Sequence, residues 1–178
     1  MTAVLRSPVP AAATPTGRLG QLLTEAVRDR EHWLTQVRYD PERRWYRRVR
    51  VGDDHELWLQ SWLPGQRAGL HDHGESAGAF AVLRGAVREQ VVRPALLAEV
   101  PPDVALAGGG PGLLAALDHR PGSLRLFSSH HVHEVSHLGD GPAVTLHLYS
   151  PALTRTTLYE WNGSGLDVVG VEAASINL

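Results

Sequence analysis

Two stretches of the chain concentrate the side chains able to do metal chemistry. Seven of the ten histidines fall there: His71 and His73, then His130, His131, His133, His137 and His147. Residues two apart on a strand point to the same side, so His71-Asp72-His73 can aim both imidazoles at one point. Neutral imidazole is a ligand for zinc, iron, copper and nickel, and a third inward histidine completes a facial set with positions left open for substrate. Taken by itself, the pair has another reading, a polar loop whose histidines only cap or hydrate. The chain has no cysteine, which excludes disulfides, thiolate zinc sites, iron-sulfur clusters and a thiol nucleophile. Any metal must rest on His, Asp or Glu.

The pattern around these residues predicts the elements that hold them. From Arg18 to about Arg38, apolar residues recur at three- and four-residue steps (Leu19, Leu22, Leu23, Ala26, Val27, Trp33, Leu34, Val37), an amphipathic helix with a break near Asp29 and a stop at Pro41. Beyond Arg44 the period changes to two, giving strands at Trp45 to Val51 and Leu57 to Trp62, the latter buried on both faces. Further short strands are expected at 79–83, 87–92, 123–127, 143–149 and 156–161, punctuated by Pro64-Gly65, Gly85, Pro121-Gly122 and Gly139 to Pro142. This predicts a mainly β fold, a sandwich or barrel of jelly-roll type behind an N-terminal helical segment. Residues 1–16, with Pro8, Pro10 and Pro15, read as a flexible tail, and Pro94 to Gly112 as a surface loop. One domain is expected over 17–178, with helices over 17–40 and the barrel over about 44–165.

The spacing of the first histidine pair resembles the first motif of the cupin superfamily. Pro64-Gly65 is followed by five residues, His71-x-His73, four residues, Gly78, six residues and Gly85. Gly78 stands where a cupin glutamate ligand would stand. The second cupin motif is met in spacing by Gly122, Ser128, His130, His133 and His137. The resemblance implies a double-stranded β-barrel holding a metal on His71, His73 and His133, with His130 or His131 as competitors for the third place and His137 as an outer or structural residue. Three neutral ligands leave a divalent ion its full formal charge, which favours an anionic group such as a thiolate.

The runs HDHGESAGAF, with Arg-Glu following Gly85, and PAVTLHLYSP are similar to those of the thiol dioxygenases, the cysteine dioxygenase type I family. That resemblance covers about Trp45 to Trp161. It implies iron(II) on the three histidines and addition of both atoms of O2 to a thiol, most simply L-cysteine in cysteine catabolism, to give the sulfinate. Arg47 would clamp the substrate carboxylate through its donor fork, with Arg48 as the alternative register. Thr145, His147 and Tyr149 would form the outer relay, Tyr149 meeting substrate or oxygen, His147 orienting it and Thr145 orienting His147. A core aromatic role is the other reading of Tyr149. Ser150-Pro151 resembles the family's cis turn. Gly78 also stands where vertebrate relatives place the cysteine that cross-links to the tyrosine, so that link cannot form.

An arginine clamp implies L-cysteine, whereas the 3-mercaptopropionate branch carries glutamine there; 3-mercaptopropionate or another thiol carboxylate is the alternative substrate. A non-catalytic cupin sensor and a zinc or manganese cupin hydrolase or isomerase are the rival classes. For the first no DNA-reading companion helix is visible, and for the second Glu75 and Glu89 have no assigned place. Seventeen basic against nineteen acidic residues leave a formal charge of -2, so the charge balance names no nucleic acid or anionic membrane as partner. No run of about 18 apolar residues exists to span a bilayer, and Met1 to Gly17 lacks the apolar stretch of a signal peptide. The expectation is a cytoplasmic monomer or weak homo-oligomer whose partners are a small thiol and O2.

Overall fold

Apolar spacing after Arg18 forms two helices, α1 (Thr16–Arg28) and α2 (Arg30–Thr35), in a computed structural model that describes residues 16–92, 113–129, 131–162 and 165–173. The break falls at Asp29, whose N–H donates to the Ala26 carbonyl at 3.1 Å. The Trp33 indole then folds back to donate to the same carbonyl at 2.7 Å. The helical segment ends at Thr35, short of the expected Arg38, because the following residues are tied to the end of the second strand and the turn after it. Ser61 Oγ donates to the Arg38 carbonyl at 2.6 Å and Gln66 Nε2 to the Asp40 carbonyl at 2.8 Å.

Eleven strands follow among the described residues. They are β1 (Trp45–Val51), β2 (Glu56–Trp62), β3 (Leu70–His71), β4 (Ala77–Arg84), β5 (Ala86–Val92), β6 (Leu113–His119), β7 (Leu124–Phe127), β8 (Val132–Leu138), β9 (Ala143–Ser150), β10 (Arg155–Trp161) and β11 (Leu166–Ala173). They build two antiparallel sheets, ordered β1-β2-β9-β4-β7 and β11-β10-β3-β8-β5-β6. The expected tail before Thr16 and the expected loop at 94–112 lie outside the described residues.

Two cores flank the five-stranded sheet. On its outer face, Leu19, Leu23 and Trp33 of the helices pack on Leu57, Leu59, Ala81, Leu146 and Leu148. Each fully buried Leu there contributes about 1.5–3 kcal/mol. The inner face meets the second sheet through Trp58, Trp62, Phe80, Val87, Phe127, Val135 and Tyr149. Strands β2 and β9 are therefore buried on both faces, as expected for β2. In β9 the usual sense is reversed: Val144, Leu146 and Leu148 face the helices, while Thr145, His147 and Tyr149 face the space between the sheets. The polar side chains are inside because the interior holds the site.

Candidate metal centre

Strand register creates the histidine cluster. His71 of β3 lies directly opposite His133 of β8, and His73, two positions on from His71, returns to the same side. The three ring centroids form a nearly equilateral triangle with sides of 4.9, 4.9 and 5.0 Å. One nitrogen of each ring lies within 4.8 Å of the others.

Tautomers follow from the partners. A carbonyl and a carboxylate only accept, so His71 Nδ1–H donates to the Gly69 carbonyl at 2.9 Å and His133 Nδ1–H to Glu89 Oε1 at 2.8 Å. Nε2 of both rings thus presents a lone pair to the cluster. Both ring nitrogens of His73 are buried with no hydrogen-bond partner among the described residues, an expensive state unless a ligand takes one of them. Burial holds all three imidazoles below their ordinary pKa, His71 at about 3, with the neighbouring His133 adding to the effect. Three buried, neutral, convergent imidazoles fit a divalent transition metal, and imidazole serves iron, zinc, copper and nickel alike.

Asp72, between His71 and His73, points the other way and pins them. Its carboxylate accepts from Tyr159 Oη at 2.6 Å, Gly74 N at 2.9 Å and Thr157 N at 3.3 Å, so β10 fixes the loop that carries His71 and His73. Gly74 takes φ +57°, a left-handed turn that a side chain would strain.

Glu89 is wholly buried. Besides His133 it accepts from His131 Nε2 at 3.1 Å, His119 Nε2 at 3.1 Å and Arg125 Nε at 2.9 Å. Burial raises its pKa, but the hydrogen bonds from His119, His131 and His133 outweigh that and hold it well below the usual carboxylate range.

Beside the cluster a narrow cavity is lined by Arg44, Gln60, Trp62, His71, His133, His147 and Tyr149 among others. Its free space is on the order of a single water. Burial lowers the Arg44 pKa to about 10, against the opposing influence of Tyr149 and Tyr46, so it remains a cation at neutral pH. Its guanidinium lies 4.7 Å above the Trp62 ring and donates to Gln60 Oε1 at 3.3 Å. The turn before it is set by Asp40, whose Oδ1 accepts from the backbone N–H of Glu42 and Arg43 at 2.9 and 3.3 Å.

Arg47, expected as the carboxylate clamp, is not brought to this cavity. It is exposed and lies opposite Leu59, a residue of the helix-facing core, so its side of β1 is the outer one. Arg48 is on the inner side but pairs with Glu56 at 3.3 Å and lies over Trp58. The guanidinium in the cavity is Arg44.

The three relay residues form a directed chain. The Trp62 indole can only donate, and it donates to Thr145 Oγ1 at 2.9 Å. Thr145 therefore turns its single proton to His147 Nε2, also at 2.9 Å. Nδ1–H of His147 then points at Tyr149 Oη, 3.4 Å away, leaving the tyrosine O–H free to donate into the cavity. Burial keeps His147 neutral and pushes the Tyr149 hydroxyl above its ordinary pKa. Neutral donors are thus maintained throughout.

His137 donates Nε2–H to the Gly141 carbonyl, 2.7 Å away in the β8–β9 turn, and takes no part in the cavity lining. His130 lies outside the described residues. Half-buried His131 stacks on Phe127 at 5.2 Å and lies 4.8 Å from the His133 ring, but its Nε2 is taken by Glu89 Oε1 at 3.1 Å. Ser150-Pro151 is cis. Arg44, Glu89, Asp72, Gln60 and Trp62 had no assigned role from sequence. Arg44 shares the alternate spacing of Tyr46 and Arg48, which was the available signal for it.

Solved structures share this architecture. A protein of Thermus thermophilus is 22% identical, with a TM-score of 0.52 over 67% of this chain and 94% of that one. An uncharacterized Klebsiella pneumoniae protein with a double-stranded β-helix domain is 15% identical, with a TM-score of 0.51 over 78% and 94%. A Bacillus halodurans protein is 16% identical, with a TM-score of 0.52 over 79% and 85%. At such identities the likeness speaks for the fold, a cupin-type double-stranded β-barrel. No curated protein matches the sequence. The family comparison is more specific: residues 19–162, spanning both sheets, the histidine triangle and the relay, match cysteine dioxygenase type I, and the chain belongs to that family.

Proposed function

We propose that the protein is an iron(II)-dependent thiol dioxygenase acting on a small thiol carboxylate, L-cysteine first, and releasing the sulfinate. The observation that carries this reading is the triangle of His71, His73 and His133 beside one small cavity that a half-buried cation, Arg44, and the Tyr149 hydroxyl also line. Family membership points to iron among the metals that imidazole accepts.

Bound iron would supply an attachment point for sulfur and a redox-active site through which O2 could take the electrons that sulfur gives up. The chain supplies the rest. Arg44 would hold the substrate carboxylate, its planar fork kept in place by the Trp62 face beneath it and by Gln60. Tyr149, its proton directed inward by the Thr145-His147 chain, would donate to the carboxylate or to developing negative charge on oxygen. Phe80, Phe127 and Trp58, buried in the inner core with Trp62 and Tyr149, would help keep bulk water away from the sulfur. The overall change balances as one thiol and one O2 becoming one sulfinic acid, with sulfur oxidised by four electrons and both oxygen atoms retained.

The test is anaerobic loading with iron(II), addition of L-cysteine or 3-mercaptopropionate, admission of oxygen, and measurement of oxygen uptake and sulfinate. Stoichiometric sulfinate from L-cysteine supports the reading. Preference for 3-mercaptopropionate reassigns the substrate, and oxygen uptake that ignores every thiol removes the proposal.

A further inference from the structure

We propose that Glu89 is a positioning residue for the metal centre, supplying from behind His133 the negative charge that the ligand triangle lacks, with Arg125 as its counterweight. The proposal rests on the reading that His71, His73 and His133 hold the metal.

Both oxygens of Glu89 are committed. Oε1 takes His133 Nδ1–H at 2.8 Å and His131 Nε2 at 3.1 Å, and Oε2 takes Arg125 Nε at 2.9 Å and His119 Nε2 at 3.1 Å. An isolated carboxylate in such a place would be prohibitive. His133 makes the shortest of the four contacts and is the most buried donor, 1% exposed against 11% for His119, 12% for His131 and 29% for Arg125. The donor spacing of Glu89, His131 and His133 would by itself suit a second metal ion. The Arg125 guanidinium on the same carboxylate opposes that, because a second cation would have to displace it. The cluster is a hydrogen-bonded centre with one outlet to the triangle, through His133.

That outlet does two things. It fixes the His133 ring so that Nε2 faces His71 and His73, and it draws the Nδ1 proton toward the carboxylate, making Nε2 a stronger donor. Gly78 removes any possibility of a direct carboxylate ligand at the position it occupies, so the anionic contribution reaches the ion through an imidazole. Arg125, His119 and His131 share the same carboxylate and limit how much charge His133 receives. Loosening one of them should release more.

The experiment titrates the metal-free full chain with Co(II) against a competing chelator, following the visible absorption of the bound ion. Glu89→Gln should weaken binding by about 10- to 100-fold, with the band position shifted. Arg125→Gln, which leaves Glu89 in place, should tighten binding by about two- to fivefold. Opposite signs mark a positioning role, whereas a packing role would weaken both. Wild-type-like affinity in a folded Glu89→Gln protein overturns the proposal, as does weakened or unchanged binding in Arg125→Gln should Glu89→Gln fail to fold. A wild-type chain that takes up no Co(II) overturns the triangle as a metal site instead, and this proposal with it.

Discussion

Gly78 and Phe127 face each other across β4 and β7, and the ring end of Phe127 fills the space that a β-carbon at position 78 would need. Tyr149 flanks Gly78 on the other side. The phenyl ring also stacks on His73 at 4.9 Å and lies 6.4 Å from the Tyr149 ring, so it packs both without any covalent link. Because the ring is held by His73, His131 and His133, it cannot swing away cheaply. Gly78→Ala, and equally Gly78→Cys, should destabilise the fold by about 1–3 kcal/mol. Combined with Phe127→Ala, the loss should fall short of the sum of the single changes by about 0.5–3 kcal/mol. Urea denaturation of the four proteins measures it, and strict additivity would separate the two residues.

Arg44 should govern recognition of the carboxylate. Arg44→Gln is expected to raise KM for L-cysteine by about 10- to 100-fold, the range for losing a charge-assisted hydrogen bond. Turnover of cysteamine, a thiol without the carboxylate, should change little. Arg47→Gln should behave as wild type, since its side chain faces outward. An Arg47 defect with a normal Arg44 variant would place the anchor elsewhere.

The relay predicts a contrast at one position. Thr145→Val keeps the shape but strands the Trp62 N–H and His147 Nε2, both buried, and should destabilise by about 2–4 kcal/mol. It should also lower kcat toward that of Tyr149→Phe, because the tyrosine proton loses its direction. Thr145→Ser should restore both properties. Denaturation curves and oxygen-uptake rates of the three variants decide this.

Acid should unfold the metal-free chain early. The folded-state pKa values of His71, His73, His133 and His147 lie below the ordinary histidine value, so between about pH 6.5 and 3 the unfolded chain binds protons that the folded chain refuses. Stability therefore rises with pH in that window and is lost as pH falls, by about 1.4 kcal/mol per pH unit for each proton. Added Co(II), which needs the neutral rings, should move the midpoint to lower pH. Urea midpoints from pH 7.5 to 4.5, with metal and with chelator, test the sign; a flat metal-free profile contradicts it.

Much of the site is local and was legible. The period-two alternation of Thr145, His147 and Tyr149 is printed on one strand, and the spacing of His71 and His73 needs only that they share a side. The third histidine came from motif spacing rather than from pairing, yet β3 sets it directly against His71. What stayed hidden depends on partners distant in the chain. Glu89 acquires its role only when β5 lies between β6 and β8. Arg44 precedes its strand within a run of arginines, where composition offers no contrast, and only the path of residues 36–44 selects it. Two-residue β3 is too short to carry a period, and β11 places Val169 and Val171 on its exposed face, so its apolar residues do not alternate.

The anchoring of Asp72 by Tyr159, 87 positions further along, bears on when metal can be captured during biosynthesis. A nascent chain that has emerged only as far as β9 already carries all three histidines, but the loop holding two of them still lacks its clasp. Contacts so far apart in sequence form late, because loop-closure entropy must be overcome first. On the proposed three-histidine site, an ion would thus be no scaffold for early folding. Metal retention should instead report closure of β10, and fragments ending before Tyr159 should bind a divalent ion poorly.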